Sequence, residues 1–357
     1  MAVRVVLLLL YNRSAIGNQI NRGMKKSKPN KASKRKIHGA DLDMISNLPD
    51  PVLQMILSGL PTTEEAVRTS ILSTRWRYLW TSLPSLDLDC TCILTNSKRN
   101  EFKEFVKRVL VDQTRDLDRF RLCCKDIDMS TIRLWIHAAV MRKVKLFNLF
   151  FCPRVDERKV IELPHSLVTC ESLEVLKLYL FSFPLSLPTV TGFPALRALQ
   201  LNNVQLWNDD SVEQFLKSCP LLEDLSLIDC VLHSLDDLCI SSPSLKTLRI
   251  NNAGLFGGPD GLEICCPKLV LLEYAGHTAS VFSFENVDSL KKAVFYPYMT
   301  HTGLPFELTF NDFSHTMCQL FAGVSHVEYL SLNLFIIQVH TYSFKCIVFI
   351  HLYAISL

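Results

Sequence analysis

A Leu-x-x-Leu-x-Leu motif that recurs along the middle of the chain constrains the fold more than any other feature. Its clearest copies begin at Leu173, Leu196, Leu222, Leu245 and Leu269, at spacings of 23, 26, 23 and 24 residues. Alternate residues of a short strand face opposite sides, so the leucines of each copy form one apolar side. No copy can bury that side alone, and neighbouring copies must therefore stack on each other.

This spacing lies within the period of leucine-rich repeats, which is about 20–29 residues. Weaker copies of the motif flank the clear ones and extend the repeated region over residues 83–332. Helical patterns fill several segments between copies, as at 97–111, 130–142 and 209–218. A strand, a return helix and a parallel strand in succession predict an α/β fold, namely a curved solenoid with parallel strands.

The strand positions between the inward leucines form an exposed row, where a partner would bind. The row mixes both signs of charge, so it does not predict a nucleic-acid-binding stripe. The candidate substrate-binding residues of this row are Glu174, Lys177, Arg197, Gln200, Glu223, Ser226, Lys246 and Arg249.

Residues 44–80, which precede the repeats, carry the start and stop signals of three short helices. Asp50 is a suitable N-cap with Pro51 in the first helical position, where its missing N–H costs nothing. Thr62 and Glu65 have the spacing of a capping box for a second helix, and a third helix carries Trp76.

Three helices in so few residues make a marginal core. Several apolar side chains are therefore expected to remain outward, and such a patch favours a protein partner. The alternative is that the patch packs on the following repeats, and the pattern alone leaves both open. The expected outward residues are Leu48, Pro49 and some of Ile56, Leu57, Leu60 and Trp76.

The helical module resembles the F-box of plant F-box proteins with leucine-rich repeats. Thr74 is a minor departure, since Lys or Arg is usual there. The segments that carry the resemblance are Ile45–Asp50, Ile56–Pro61, Arg68–Ser73, Arg75–Arg77 and Leu79–Trp80.

The resemblance implies an F-box over residues 41–82 that docks on the Skp-family adaptor of a cullin-RING ubiquitin ligase, and through it on the cullin and RING subunits. The repeats would then bind a protein substrate. By motif, the adaptor-binding residues implied are Leu48, Pro49, Val52, Ile56, Leu57, Leu60, Pro61, Trp76 and Trp80.

The two ends of the chain differ from its body. Residues 1–36 carry ten basic side chains and no acidic one, so residues 1–40 are expected to be a basic, disordered leader. Within it, residues 25–36 hold seven basic side chains in twelve and are either a nuclear localisation signal or a disordered tail. We expect the protein in the nucleus, the cytoplasm or both. In the resembled family the repeats often continue into a domain called FBD, which residues 333–357 do not match. We expect an irregular apolar tail there, since Lys345 disfavours a membrane helix.

The sequence contains no recognisable catalytic constellation. Thirteen cysteines include no pair of Cys-x-x-Cys units at zinc spacing, and no His-Glu-x-x-His motif occurs. We therefore expect a non-catalytic adaptor with no catalytic residue, no metal site and no cofactor. The alternative function is a leucine-rich-repeat interaction scaffold that acts outside ubiquitination.

Overall fold

A computed structural model describes residues 45, 48–91, 93, 95–153, 160–189, 192–206, 209–232, 235–252, 259–277, 279, 281–298 and 306–332, with the backbone alone at 209–210, 297–298 and 306–314. The predicted leader (1–40) and tail (333–357) lie outside the described residues. The chain divides into two compact units, Met1–Arg121 and Leu122–Leu357.

The first unit begins with short helices. Helix α1 spans Asp50–Ser58, α2 spans Thr63–Arg68, and two 3-10 helices span Thr69–Ile71 and Trp76–Ser82. The third predicted helix is therefore a 3-10 helix. Helix α1 also begins one residue earlier than expected, because Pro49 rather than Asp50 is its N-cap.

Two side-chain hydrogen bonds hold these helices in place. Thr62 caps α2 as expected, since its hydroxyl accepts a hydrogen bond from the backbone N–H of Glu65 at 3.3 Å. The guanidinium of Arg75 donates to the carboxylate of Asp50 at 2.9 Å and ties the start of α1 to the third helix. The rest of this unit contains strand β1 (Ser85–Asp89) and helix α3 (Asn96–Asp112).

The second unit is built on one parallel sheet. Strand β2 (Arg119–Lys125) crosses the boundary between the units, and the short strand β4 (Ile161–Glu162) pairs only with β5. From β3 onward the strands follow the order β3-β5-β6-β7-β9-β11-β13-β14. Those strands are β3 (Leu146–Cys152), β5 (Val175–Ser186), β6 (Ala198–Gln205), β7 (Asp224–Ile228), β9 (Thr247–Asn252), β11 (Leu271–His277), β13 (Lys292–Tyr298) and β14 (Tyr329–Leu332).

The leucines of the motif form the core, as the repeat predicts. Neighbouring strands place Leu176, Leu199, Leu225, Leu248 and Leu272 in one register. Each is at most 2% exposed. Each of these leucines therefore lies beside the leucine of a neighbouring repeat, which is the burial that one repeat alone lacks.

The return segments are of two kinds. Helices α4 (Met129–Met141), α5 (His165–Val168), α6 (Asp209–Lys217) and α7 (Phe306–Gly323) occupy four of them. Three others are strands, β8 (Asp237–Ser241), β10 (Gly261–Cys265) and β12 (Val281–Glu285), which form a second parallel sheet in the order β12-β10-β8. None of the helices described here has the length and apolarity needed to cross a bilayer.

Candidate functional site

The exposed part of the predicted adaptor surface lies at the start of α1. Pro49 and Pro61 are exposed, while Leu48 and Val52 are half-buried. The backbone N–H of Val52 donates to the carbonyl of Pro49 at 2.9 Å, and that of Leu48 donates to the carbonyl of Ile45 at 3.1 Å. These bonds fix the Leu48–Pro49 segment against the first turn of the helix, with apolar side chains at the surface.

The other five predicted adaptor residues are buried. Ile56, Leu57, Leu60, Trp76 and Trp80 are each at most 9% exposed. The expectation that some of Ile56, Leu57, Leu60 and Trp76 remain outward is therefore wrong. The physical reason is that so small a set of helices has only its largest apolar side chains with which to form a core.

Sequence reasoning missed three exposed apolar residues in this module. Met55, Ile71 and Tyr78 are 70%, 61% and 65% exposed. Single exposed apolar side chains are common at protein surfaces, so exposure alone does not assign these three to the adaptor surface. The helical period could have identified Met55. Leu53, Ile56 and Leu57 fall on one side of α1 and are buried, and Met55 falls on the opposite side. No comparable spacing identifies the other two.

The predicted substrate row is aligned across the second unit by the strand register. Lys177 of β5 pairs with Gln200 of β6, which pairs with Ser226 of β7, which pairs with Arg249 of β9. Ser226 is only 8% exposed, and its hydroxyl donates to the carboxylate of Asp224 at 3.3 Å. Ser226 is therefore largely removed from the surface that the sequence assigned to it.

Most of the charges in this row are paired with one another. The Arg249 guanidinium contacts the carboxylates of Asp224 at 3.0 Å and Glu273 at 3.1 Å. The ion pairs thus link three adjacent strands, β7, β9 and β11. These groups are partly exposed, so the ion pairs contribute little to stability. Each charge in these pairs already has a partner of opposite sign, so it is less available to a bound ligand.

A second ion-pair cluster lies at the strand entries. Glu223 contacts Arg197 at 3.2 Å and Lys246 at 3.1 Å. The hydrogen bond from Lys246 and the positive charges of both neighbours hold the pKa of the Glu223 carboxyl below its usual value. Four of the eight predicted substrate residues (Arg197, Glu223, Lys246 and Arg249) are therefore occupied by intramolecular pairs.

Neither surface has the side chains of a metal site. Within the described parts of the chain, no group of three or more His, Cys, Asp or Glu side chains is arranged to hold a metal ion. What the two surfaces offer is apolar area, hydrogen-bond donors and charge, which are the means of protein recognition.

A helical module with an exposed apolar end, followed by a stacked parallel sheet of leucine-rich repeats, defines the class of F-box proteins with repeats. A model of the F-box domain matches residues 45–88. A second family model, described as "FBD-associated F-box protein At5g56370, LRR repeats", matches residues 132–257.

Curated relatives from Arabidopsis thaliana extend this similarity along the chain. A putative F-box/FBD/LRR-repeat protein is 34% identical over 76% of this chain and 54% of its own length. An F-box/FBD/LRR-repeat protein is 32% identical over 70% of this chain and 59% of its own length. A putative F-box/LRR-repeat protein is 30% identical over 88% of this chain and 75% of its own length.

The chain belongs to the plant F-box/LRR-repeat family. It spans between half and three fifths of the length of the first two relatives. F-box domains in general bind Skp-family adaptors, and F-box proteins with repeats are in general non-catalytic substrate adaptors of SCF-type ligases.

Proposed function

We propose that this protein is the substrate-recognition subunit of an SCF-type cullin-RING ubiquitin ligase. Its F-box docks on the Skp-family adaptor, and its repeats bind a protein substrate. The observation that carries the proposal is the F-box match at residues 45–88, whose Leu48–Pro49 segment lies at the surface at the start of α1.

In the proposed mechanism, this chain brings the substrate close to the ligase and carries out no chemical step itself. One module binds the ligase and the repeats bind the substrate, so the transfer of ubiquitin by other subunits becomes effectively intramolecular. Tethering of this kind raises the effective concentration of the acceptor, to the millimolar range for short linkers.

The test is a pull-down of the Skp-family adaptor with the full chain and a Leu48→Ala, Pro49→Ala double variant. Loss of these two apolar anchors is expected to cost about 1–2 kcal/mol each, which weakens binding by about tenfold or more. The matched control is a Leu134→Ala, Met141→Ala double variant on α4. Both of its side chains are more than two thirds exposed, at 69% and 68%, and both lie outside the F-box.

The control is expected to retain the adaptor, and the F-box variant is expected to lose it. Equal retention by both variants would show that the docking surface is assigned wrongly. A parent chain that co-purifies with neither adaptor nor cullin would instead be a repeat scaffold that acts outside ubiquitination.

A further inference from the structure

Three aromatic side chains form a cluster on β3 and β5 that the predicted surfaces do not include. Phe150 and Tyr179 are register partners, and their rings stack with centroids 5.2 Å apart and planes at 21°. The ring of Phe181 meets that of Tyr179 edge to face, with centroids 4.6 Å apart. Phe181 is 46% exposed, so the cluster ends at the surface.

The backbone at Phe181 is unusual. Phe181 and Ser182 have φ values of 52° and 61°, in the left-handed region that bulky residues rarely adopt. The pairing of β5 with β6 shifts register between Tyr179 and Phe183. Irregularities of this kind redirect a side chain.

Asp or Asn occupies this conformation elsewhere in and beside the strands. Asn203 within β6, and Asp126, Asp229 and Asn286 directly after β2, β7 and β12, also have positive φ, at 51°, 58°, 48° and 50°. Asp and Asn enter the left-handed region with little penalty, whereas a bulky residue there costs about 1–3 kcal/mol. Phe181 therefore has a strained backbone conformation in β5, which an asparagine would adopt with less strain. Strain retained at one position is a reason to look for a binding role.

Polar groups border the aromatic cluster. Lys177 precedes Tyr179 by two residues on β5, so both side chains lie on the same side of the sheet. Its register partners are Asn148 and Gln200, which are neutral amides. No ion pair to Lys177 occurs among the described residues, whereas the Arg249 and Glu223 charges along the same surface are paired. The ammonium of Lys177 is thus available to an anionic ligand.

We propose that Phe150, Tyr179, Phe181 and Lys177 form the anchor site for an acidic peptide segment of the protein substrate. An apolar side chain of the segment would pack on the rings, and an Asp or Glu carboxylate would bind the Lys177 ammonium. Lys177 and Tyr179 are about 7 Å apart along the strand, the distance between alternate residues of an extended peptide. This inference rests on the proposed function and deepens it by naming the class of substrate.

The test selects binders to the purified full chain from a library of random dodecapeptides. The expected result is enrichment of Asp or Glu within two positions of Leu, Phe or Trp. The recovered peptides, labelled with fluorescein, are then titrated by fluorescence anisotropy. Phe181→Asn removes the ring but keeps a residue that tolerates positive φ, and Lys177→Glu reverses the charge. Each is expected to weaken binding by about tenfold or more.

Two control variants match these changes elsewhere on the second unit. Tyr296→Asn removes a ring that is 43% exposed on β13, and Lys268→Glu reverses the charge of an exposed lysine before β11. Both are expected to change affinity by less than about twofold, because surface positions outside a binding centre contribute little. A thermal melt of Phe181→Asn close to that of the parent would confirm that the variant is folded.

The proposal is overturned if the recovered peptides lack acidic residues beside apolar ones, or if Phe181→Asn and Lys177→Glu bind them as well as the parent does. The selection uses the chain without its adaptor. Failure of the adaptor pull-down therefore refutes the proposed function and leaves this result standing, while failure here leaves the adaptor result standing.

Discussion

Two neighbouring leucines offer a direct test of the repeat register. Leu222 opens one copy of the motif and is fully buried, at 0% exposed, whereas Leu221 is 44% exposed. The two share a residue type and a local backbone, and they differ in which side of the repeat they occupy. Replacing each by Ala therefore separates burial from every other property of the segment.

The expected costs follow from this burial. Replacing a fully buried Leu by Ala removes its transfer free energy and leaves a cavity, and together these cost about 2–5 kcal/mol. Leu221→Ala removes side chain that is already close to half in water and leaves no enclosed cavity, so about 1 kcal/mol or less is expected. Leu222→Ala should therefore be the less stable variant by about 2 kcal/mol.

Urea unfolding followed by circular dichroism measures this difference. With a slope of about 1–3 kcal/mol/M, a 2 kcal/mol loss lowers the midpoint by about 1 M relative to Leu221→Ala. The slopes of the two variants are expected to agree, since neither change alters the extent of the folded sheet. Equal midpoints, or a lower midpoint for Leu221→Ala, would refute the assignment of the leucines to the core.

Two further predictions concern a buried thiol and the strained phenylalanine. Burial raises the pKa of the Cys230 thiol to about 12, so the unfolded chain loses this proton first as the pH rises above about 9. The free energy of unfolding should therefore fall as the pH rises from about 9 to about 12, and less steeply in Cys230→Ala; equal slopes from urea titrations would contradict this. Phe181→Asn should cost less than about 1 kcal/mol in thermal or urea unfolding, whereas Phe151→Ala, at a fully buried position, should cost about 3–5 kcal/mol. Similar losses would place Phe181 in the core.

The repeat fold follows from the sequence because the leucine spacing has one physical solution, which is stacking. The strands at Leu176, Leu199 and Leu225 confirm it. The small sheet of β8, β10 and β12 was not predicted, since a short apolar run such as Leu238 to Ile240 fits a strand and a helix equally well. Only the neighbouring repeats decide between them.

The candidate surfaces were less predictable, for reasons that differ between the modules. Strand alternation located Lys177 and Arg249 on one side of the sheet, but the pairing of Arg249 with Asp224 and Glu273 depends on side chains from three strands. In the F-box, helical spacing alone does not show how many apolar residues a core of so few helices can bury, so some of Ile56, Leu57, Leu60 and Trp76 were expected outside although all four are buried. Phe181 was missed because the register shift beside it breaks the period on which the prediction depends.

In the proposed function, this chain is a ligase subunit that joins a Skp-family adaptor to a substrate. Light scattering of the purified full chain mixed with the adaptor tests it most directly. A one-to-one complex is expected with the parent, and none with the Leu48→Ala, Pro49→Ala variant under the same conditions. If the parent chain scatters with the mass of the chain alone in the presence of excess adaptor, the proposed function is contradicted.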